Sequence, residues 1–464
     1  DALSALDATQ MGALTATQVK ALTATQIGAL ESTDVGELTT AQIGALSKTQ
    51  VAAIAQTALS GLTATQVEAF STSQIQAFSA SNLSALDAAQ AAALTTTQVA
   101  ALTNTQIAGL EATDVGELSA TQAAALTAKQ IAALSTGAAS ALDADQMAAL
   151  NTTQVRAFTA TQISNFTATD VAELAVTQIA ALNTSQVVAF NETNIAELNE
   201  TQVAAFTATQ VKSISATNLA AFADSQIAAL TAGQIAALST TQLNGLSGTN
   251  VSAMTETQAA ALTTTQISGL SSETARAFDA THIAAMSATQ VRAFSATQLS
   301  ALETTDMAEF TETQVAAFTT TQIQGLSVTN LAALADTQIA AMSATQVQAI
   351  STAGVAELTE TQVGALTETQ VAALSTQQVR ALTETNLSAL DADQVAAMTT
   401  TQVASLTLTQ LNALNAGDIG EFSGAQVAAL TTSQVQGLSE TNVADLTETQ
   451  VAALTATQVA ALSA

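Results

Sequence analysis

Nine carboxylates stand out by their spacing: Glu31, Asp34 and Glu37; Glu111, Asp114 and Glu117; and Glu303, Asp306 and Glu309. Within each trio the residues are three apart, which on a helix sets them along one side within reach of one another. The chemistry open to such a trio is the holding of a hard cation, Ca²⁺ first, because calcium takes several carboxylate and carbonyl oxygens. The plainer reading is a solvated acidic edge that adds charge and blocks unwanted association. It takes precedence because the chain has no EF-hand and no glycine-rich calcium loop. Other chemistry finds little to work with. Cysteine is absent, which removes a thiolate nucleophile, a zinc ribbon and a disulfide framework. His282, the single histidine, replaces a glutamine in "DATHIAAM" and reads as a cap variant rather than a metal ligand or general base. The abundant serines and acids therefore lack the partner that a Ser–His–Asp arrangement needs. No catalytic residue and no cofactor site is expected.

The acids sit on an eight-residue repeat that must position them. With Thr15 as position a, "TATQVKAL" fills a to h, and the 464 residues hold 58 octads in one register without an insertion. Position h is Leu, Phe, Ile or Met throughout and takes all 12 phenylalanines, while e is Val, Ile, Leu, Met or Ala. Position a is Ser, Thr, Asn or Asp in most octads, d is usually Gln, c is usually Thr or Ser, and g is mostly Ala or Gly. A Ser or Thr three residues before a Gln is a capping box, and the apolar residues at h and e flank it with the spacing of a hydrophobic staple. Each octad thus spells a helix start. One continuous helix is excluded, because eight residues advance 800° and an apolar stripe would slip by about 80° per octad. A β-solenoid is the alternative, since Thr and Val are common. However, e and h lie three apart, on one face of a helix but on opposite faces of a strand, and Ala and Gln favour helix. The expected fold is all-α, a solenoid of very short capped helices of about two turns, one per octad. Helices this short are not stable alone, so the coils must stack on one another.

The exceptions at position d carry a second period. They fall at residues 2, 34, 58, 82, 114, 138, 170, 194, 218, 250, 274, 306, 330, 354, 386, 418 and 442, with His282 set aside. From Asp34 to Asn442 every gap spans three or four octads, with a mean of about 3.4 octads, and such a regular recurrence marks a structural period. A coil of about 3.4 octads would place all edited octads on one side. It predicts about 17 coils and, with helix layers 8–10 Å apart, a rod of about 140–170 Å. Acids at g (Glu37, Glu117, Glu173, Glu197, Glu309, Glu357, Glu421 and Asp445) occur only in octads whose d is edited. Positions b and f should face water, and seven of the eight Lys and Arg residues lie there.

Composition narrows the classes further. The net charge of −29 opposes nucleic acid, whose phosphates need clustered Lys and Arg, and opposes an anionic membrane surface. No apolar run approaches the roughly 20 residues that span a bilayer, and the opening "DALSALDATQ" lacks the pattern of a secretory signal. The array is expected to be one continuous domain over 1–464 with no linker. Because its ends fall in mid-pattern, it is expected to be a segment of a longer chain or to abut other copies head to tail.

"LTATQVAAL", "LTTTQIQGL" and "LSATQVRAF" resemble the octapeptide-repeat regions of large bacterial secreted and surface proteins, often grouped with repeat adhesins. The resemblance covers all the octads. It implies an extracellular stalk, fibre or surface-layer role and names no catalytic residue. The same letters resemble, locally only, the opening helix of TAL-effector repeats. The 34-residue period and base-reading loop of those repeats are missing, and the acidic charge opposes DNA. The expected function is therefore a non-enzymatic extracellular rod or filament subunit. The alternatives are a calcium- or cation-binding adhesin module using the acidic edge, and an array of threonines that templates water or ice.

Overall fold

A computed structural model describes residues 3–462 and contains 57 short α-helices, with no strand among the described residues. The chain divides into two compact units, Asp1–Leu238 and Ser239–Ala464, and the division falls on the corner between an h residue and the next a residue. The β-solenoid alternative is not supported. The departure at Ala2 lies outside the described residues.

Each helix starts where the capping residues place it. In the helix Ala208–Ser213, the Thr207 side chain accepts from the Gln210 N–H and the Gln210 side chain accepts from the Thr207 N–H. Both hydrogen bonds pair groups that a helix start would otherwise leave open. The a residue is extended (Thr207: φ −73°, ψ 156°), and so is the h residue that ends the helix (Ile214: φ −62°, ψ 134°). Ile214 and the next cap, Ser215 (φ −63°, ψ 152°), make the corner between two helices. They also explain why the helices run only four to six residues, as in Thr72–Ile75 and Ala64–Ala69, and not the expected two full turns.

Within each unit a helix packs on the one three octads later. Ala16–Ala21 packs on Thr40–Ala45 in the first unit, and Ser272–Arg276 on Ala296–Ala301 in the second. The core is the column of e and h side chains, buried almost throughout, such as Val203 and Phe206 or Val371 and Leu374. Successive h phenylalanines meet edge to face, with ring centres 5.2 Å apart in Phe158–Phe166 and Phe310–Phe318, the geometry that ring quadrupoles favour. Small g residues let coils approach: a Cβ built on Gly61 would lie 1.7 Å from the Ser32 carbonyl oxygen, so only glycine fits there.

The d glutamine also closes the coil. Gln210 Nε2 donates to the carbonyls of Ile179 (2.9 Å) and Leu182 (2.7 Å), both in the octad four before. Gln402 does the same to Val371 (2.8 Å) and Leu374 (2.7 Å). One end of the amide therefore caps its own helix and the other reaches e and h of the octad four before. A helix that packs three octads away and is stitched four octads away belongs to a coil of between three and four octads. That interval brackets the 3.4 read from the d exceptions.

Candidate inter-coil carboxylate site

Position d is buried; Ala58, Ala138 and Gly354 leave it without a polar side chain, whereas a polar replacement for glutamine there needs partners of its own. Asparagine reaches them with a shorter arm: Asn218 Nδ2 donates to Phe190 O at 2.6 Å and Asn386 Nδ2 to Leu358 O at 2.6 Å. His282 does so as an aromatic stand-in. Its Nδ1 accepts from the Asp279 N–H (3.2 Å), and its Nε2 donates to the Met254 carbonyl, which assigns the Nε2–H tautomer. The ring is buried with both nitrogens engaged, so the cap role expected for His282 accounts for it. Asp279, in turn, is held below the usual carboxylate range. Burial works against this, but the His282 and Thr281 N–H groups and the Thr281 hydroxyl outweigh it.

Aspartate at d cannot donate, and it would face carbonyl oxygens across the coil. The structure supplies a donor instead. Ser84 Oγ donates to Asp114 Oδ2 at 2.5 Å and Ser388 Oγ to Asp418 Oδ2 at 2.8 Å, and Ser140 Oγ makes the same bond to Asp170. Each serine is the f residue of the octad four before. On the other side the aspartate takes the N–H of its own a residue, as in Asp34 from Glu31 at 2.8 Å and Asp170 from Thr167 at 2.7 Å.

The nine acids singled out by spacing are divided by this geometry. Glu31, Glu111 and Glu303 are exposed at the helix starts, and Glu303 Oε1 pairs with Arg276 Nη2 at 2.6 Å, both half-exposed. Asp34 is buried, with 6% exposure, while Asp114 and Asp306 are half-buried. Glu37, Glu117 and Glu309 are half-buried. One carboxylate oxygen in each of Glu37, Glu309 and Glu421 is sealed from water without a hydrogen-bond partner.

What the local spacing missed is a third acid from the preceding coil. Burial first, then the like charges of Asp170 and Asp143, push the Glu173 carboxyl above its ordinary range. Glu309 is raised in the same way, by burial and then Asp306 and Asp279, and Glu421 by burial and then Asp418 and Asp391. Asp143, Asp279 and Asp391 are N-caps three octads earlier. Every aspartate at position a (Asp7, Asp87, Asp143, Asp279 and Asp391) stands three octads before an aspartate at position d (Asp34, Asp114, Asp170, Asp306 and Asp418), and each d aspartate is followed by a g glutamate. The signal that could have found these clusters was therefore in the sequence, at a separation of one coil rather than within one octad. Among the described residues no three such acids converge closely enough to hold a metal ion. A cavity of about 20 Å³ bordered by Asp114, Glu117 and leucines has room for no more than one water.

Against known proteins, the ALTTAQ repeat family matches at residues 27–57, 227–264, 339–376 and 371–408. The chain therefore carries repeats similar to that family at four places. No curated protein matches the chain. No helix among the described residues is long and apolar enough to cross a membrane.

Proposed function

We propose that the chain is a non-enzymatic structural protein, an extracellular stalk, spacer or fibre segment. The observation that carries this reading is the ladder of d side chains, which ties most octads to the octad four before, as at Gln210 and Gln402. The polar atoms that recur most regularly in the chain are thereby committed to holding coils together. Repetition of this kind extends length without changing chemistry. A repeat in which an octad closes on the octad four before can be extended by further octads, of the same chain or of another copy. The acidic surface keeps such arrays apart laterally.

Electron microscopy of the purified chain, beside versions shortened by whole coils, tests the reading. Particles whose length falls in proportion to the octads removed support it, and compact particles of constant shape would sink it. Protease shaving of intact producing cells tests the location: release of repeat fragments is expected, and complete protection overturns the extracellular assignment.

A second reading is favoured by the partnerless oxygens of Glu37, Glu309 and Glu421. In it the carboxylate clusters take up Ca²⁺ with adjustment of the glutamate side chains. Calorimetric titration with Ca²⁺ decides it, since no heat and no shift in melting temperature would remove it.

A further inference from the structure

In a chain of near-identical octads, correct folding is a problem of register. Glutamine at d does not solve it, because every octad offers the same e and h carbonyls and any glutamine fits any of them, as Gln50 fits Val19 and Leu22 (2.9 and 2.8 Å). A coil closed with one octad fewer keeps the same kinds of hydrogen bond. Aspartate at d behaves in the opposite way. It carries no N–H, so it is accommodated only where the octad it closes on presents a donor at f.

The chain has five aspartates at d, and the f residues four octads before them are Ser4, Ser84, Ser140, Arg276 and Ser388. All five can donate. The bonds are formed at Asp114, Asp170 and Asp418. With one octad removed from the coil, the facing f residues would be Gly12, Ala92, Ala148, Ala284 and Ala396, and none of these can donate.

We propose that these five aspartates, three of them bonded to a serine one coil earlier and two facing a residue able to donate, are register keys that bar the array from closing into coils of one octad fewer. The keys are directional. A coil with one octad more places Asp306 opposite Ser268 and Asp418 opposite Arg380, both donors, so tightening is the error they guard against. Such devices penalise an alternative structure more than they strengthen the native one.

The absence of cysteine makes the test clean. In the native coil Gln76 Nε2 lies 2.9 Å from the Ala101 carbonyl, so Q76C/A101C reports the native register. Q76C/A93C, separated by one octad less, reports the tightened coil. Each pair is placed in the otherwise native full chain and in a D34Q/D114Q/D170Q/D306Q/D418Q chain, which is unfolded, refolded and oxidised. The native chain should close only the first pair, and the five-fold variant should close both. A tightened pair that stays open in the five-fold variant, or that closes equally in the native chain, overturns the proposal. S84A/S140A/S388A, which keeps the aspartates, is the second arm. It should also let the tightened pair close, because native and tightened coils then leave the same carboxylates without donors. A lower melting temperature with the tightened pair still open would reduce the serines to local hydrogen-bond partners and overturn the proposal.

Discussion

The octads that begin at Thr167 and Thr207 lie in the same unit and do the same work with opposite polarity. Asp170 and Gln210 are both buried, and both accept the N–H of their own cap, at 2.7 and 2.6 Å. Gln210 then donates across the coil to Ile179 and Leu182, whereas Asp170 accepts across the coil from Ser140. A polar side chain at this place is paired across the coil in both octads, and the direction of the bond is reversed where the partner is changed with it. The reversal has a cost. It introduces a charge, and at Thr167 that charge is joined by Glu173 and faces Asp143.

The comparison can be broken most severely on the glutamine side. Gln210→Ala removes two donations to carbonyls and one acceptance from Thr207, in a place closed to water. The expected loss is about 2–5 kcal/mol, read by urea unfolding together with hydrogen exchange in the coil that contains Ile179. Ser140→Ala breaks the aspartate side alone. Its bond to a charged acceptor makes the expected loss about 1.5–3 kcal/mol, and Ser140→Ala/Asp170→Gln should recover most of it, because glutamine brings its own donor. A transplant sharpens the comparison further. Gln210→Asp places a carboxylate opposite Ala180, and adding Ala180→Ser should restore about 1–2 kcal/mol; equal midpoints for the two variants would show that the pairing is not transferable.

The smallest effect expected is the pH dependence of the clusters. The folded values of Glu173, Glu309 and Glu421 are raised above the ordinary 4.5, so the native state binds these protons more tightly than the unfolded state does. Their contribution to stability is present below about pH 4.5 and is lost as pH rises through the raised values. Glu173→Gln/Glu309→Gln/Glu421→Gln should flatten the melting temperature in that window, and an unchanged pH profile would contradict the cluster geometry.

Much of the architecture was legible because it is local. Thr207 and Gln210 spell their cap within a single octad, e and h share one helical face, and the exceptions at d reveal the coil length by their spacing. Helix length was overestimated because the extended h and a residues of each corner, such as Ile214 and Ser215, were not subtracted from the octad. The second role of glutamine was missed for a different reason. Capping accounts for Oε1 only, and the buried Nε2 of Gln210 required partners that lie in the octad four before. The carboxylate site was half legible. Asp34 and Glu37 declare themselves by a spacing of three, but Asp7 belongs with them through a separation of three octads, which becomes meaningful only once the coil length is applied to the acids themselves. Glu31, which the spacing of three grouped with them, is turned outward.

The central claim is that the side chain at d closes each coil onto the octad four before. An experimental map of either unit at side-chain resolution tests it most directly. The account predicts the Gln210 amide nitrogen within hydrogen-bond distance of the Ile179 and Leu182 carbonyls, and the Ser140 hydroxyl on Asp170. Density that places the Gln210 amide on the octad three before, or in solvent, would contradict it.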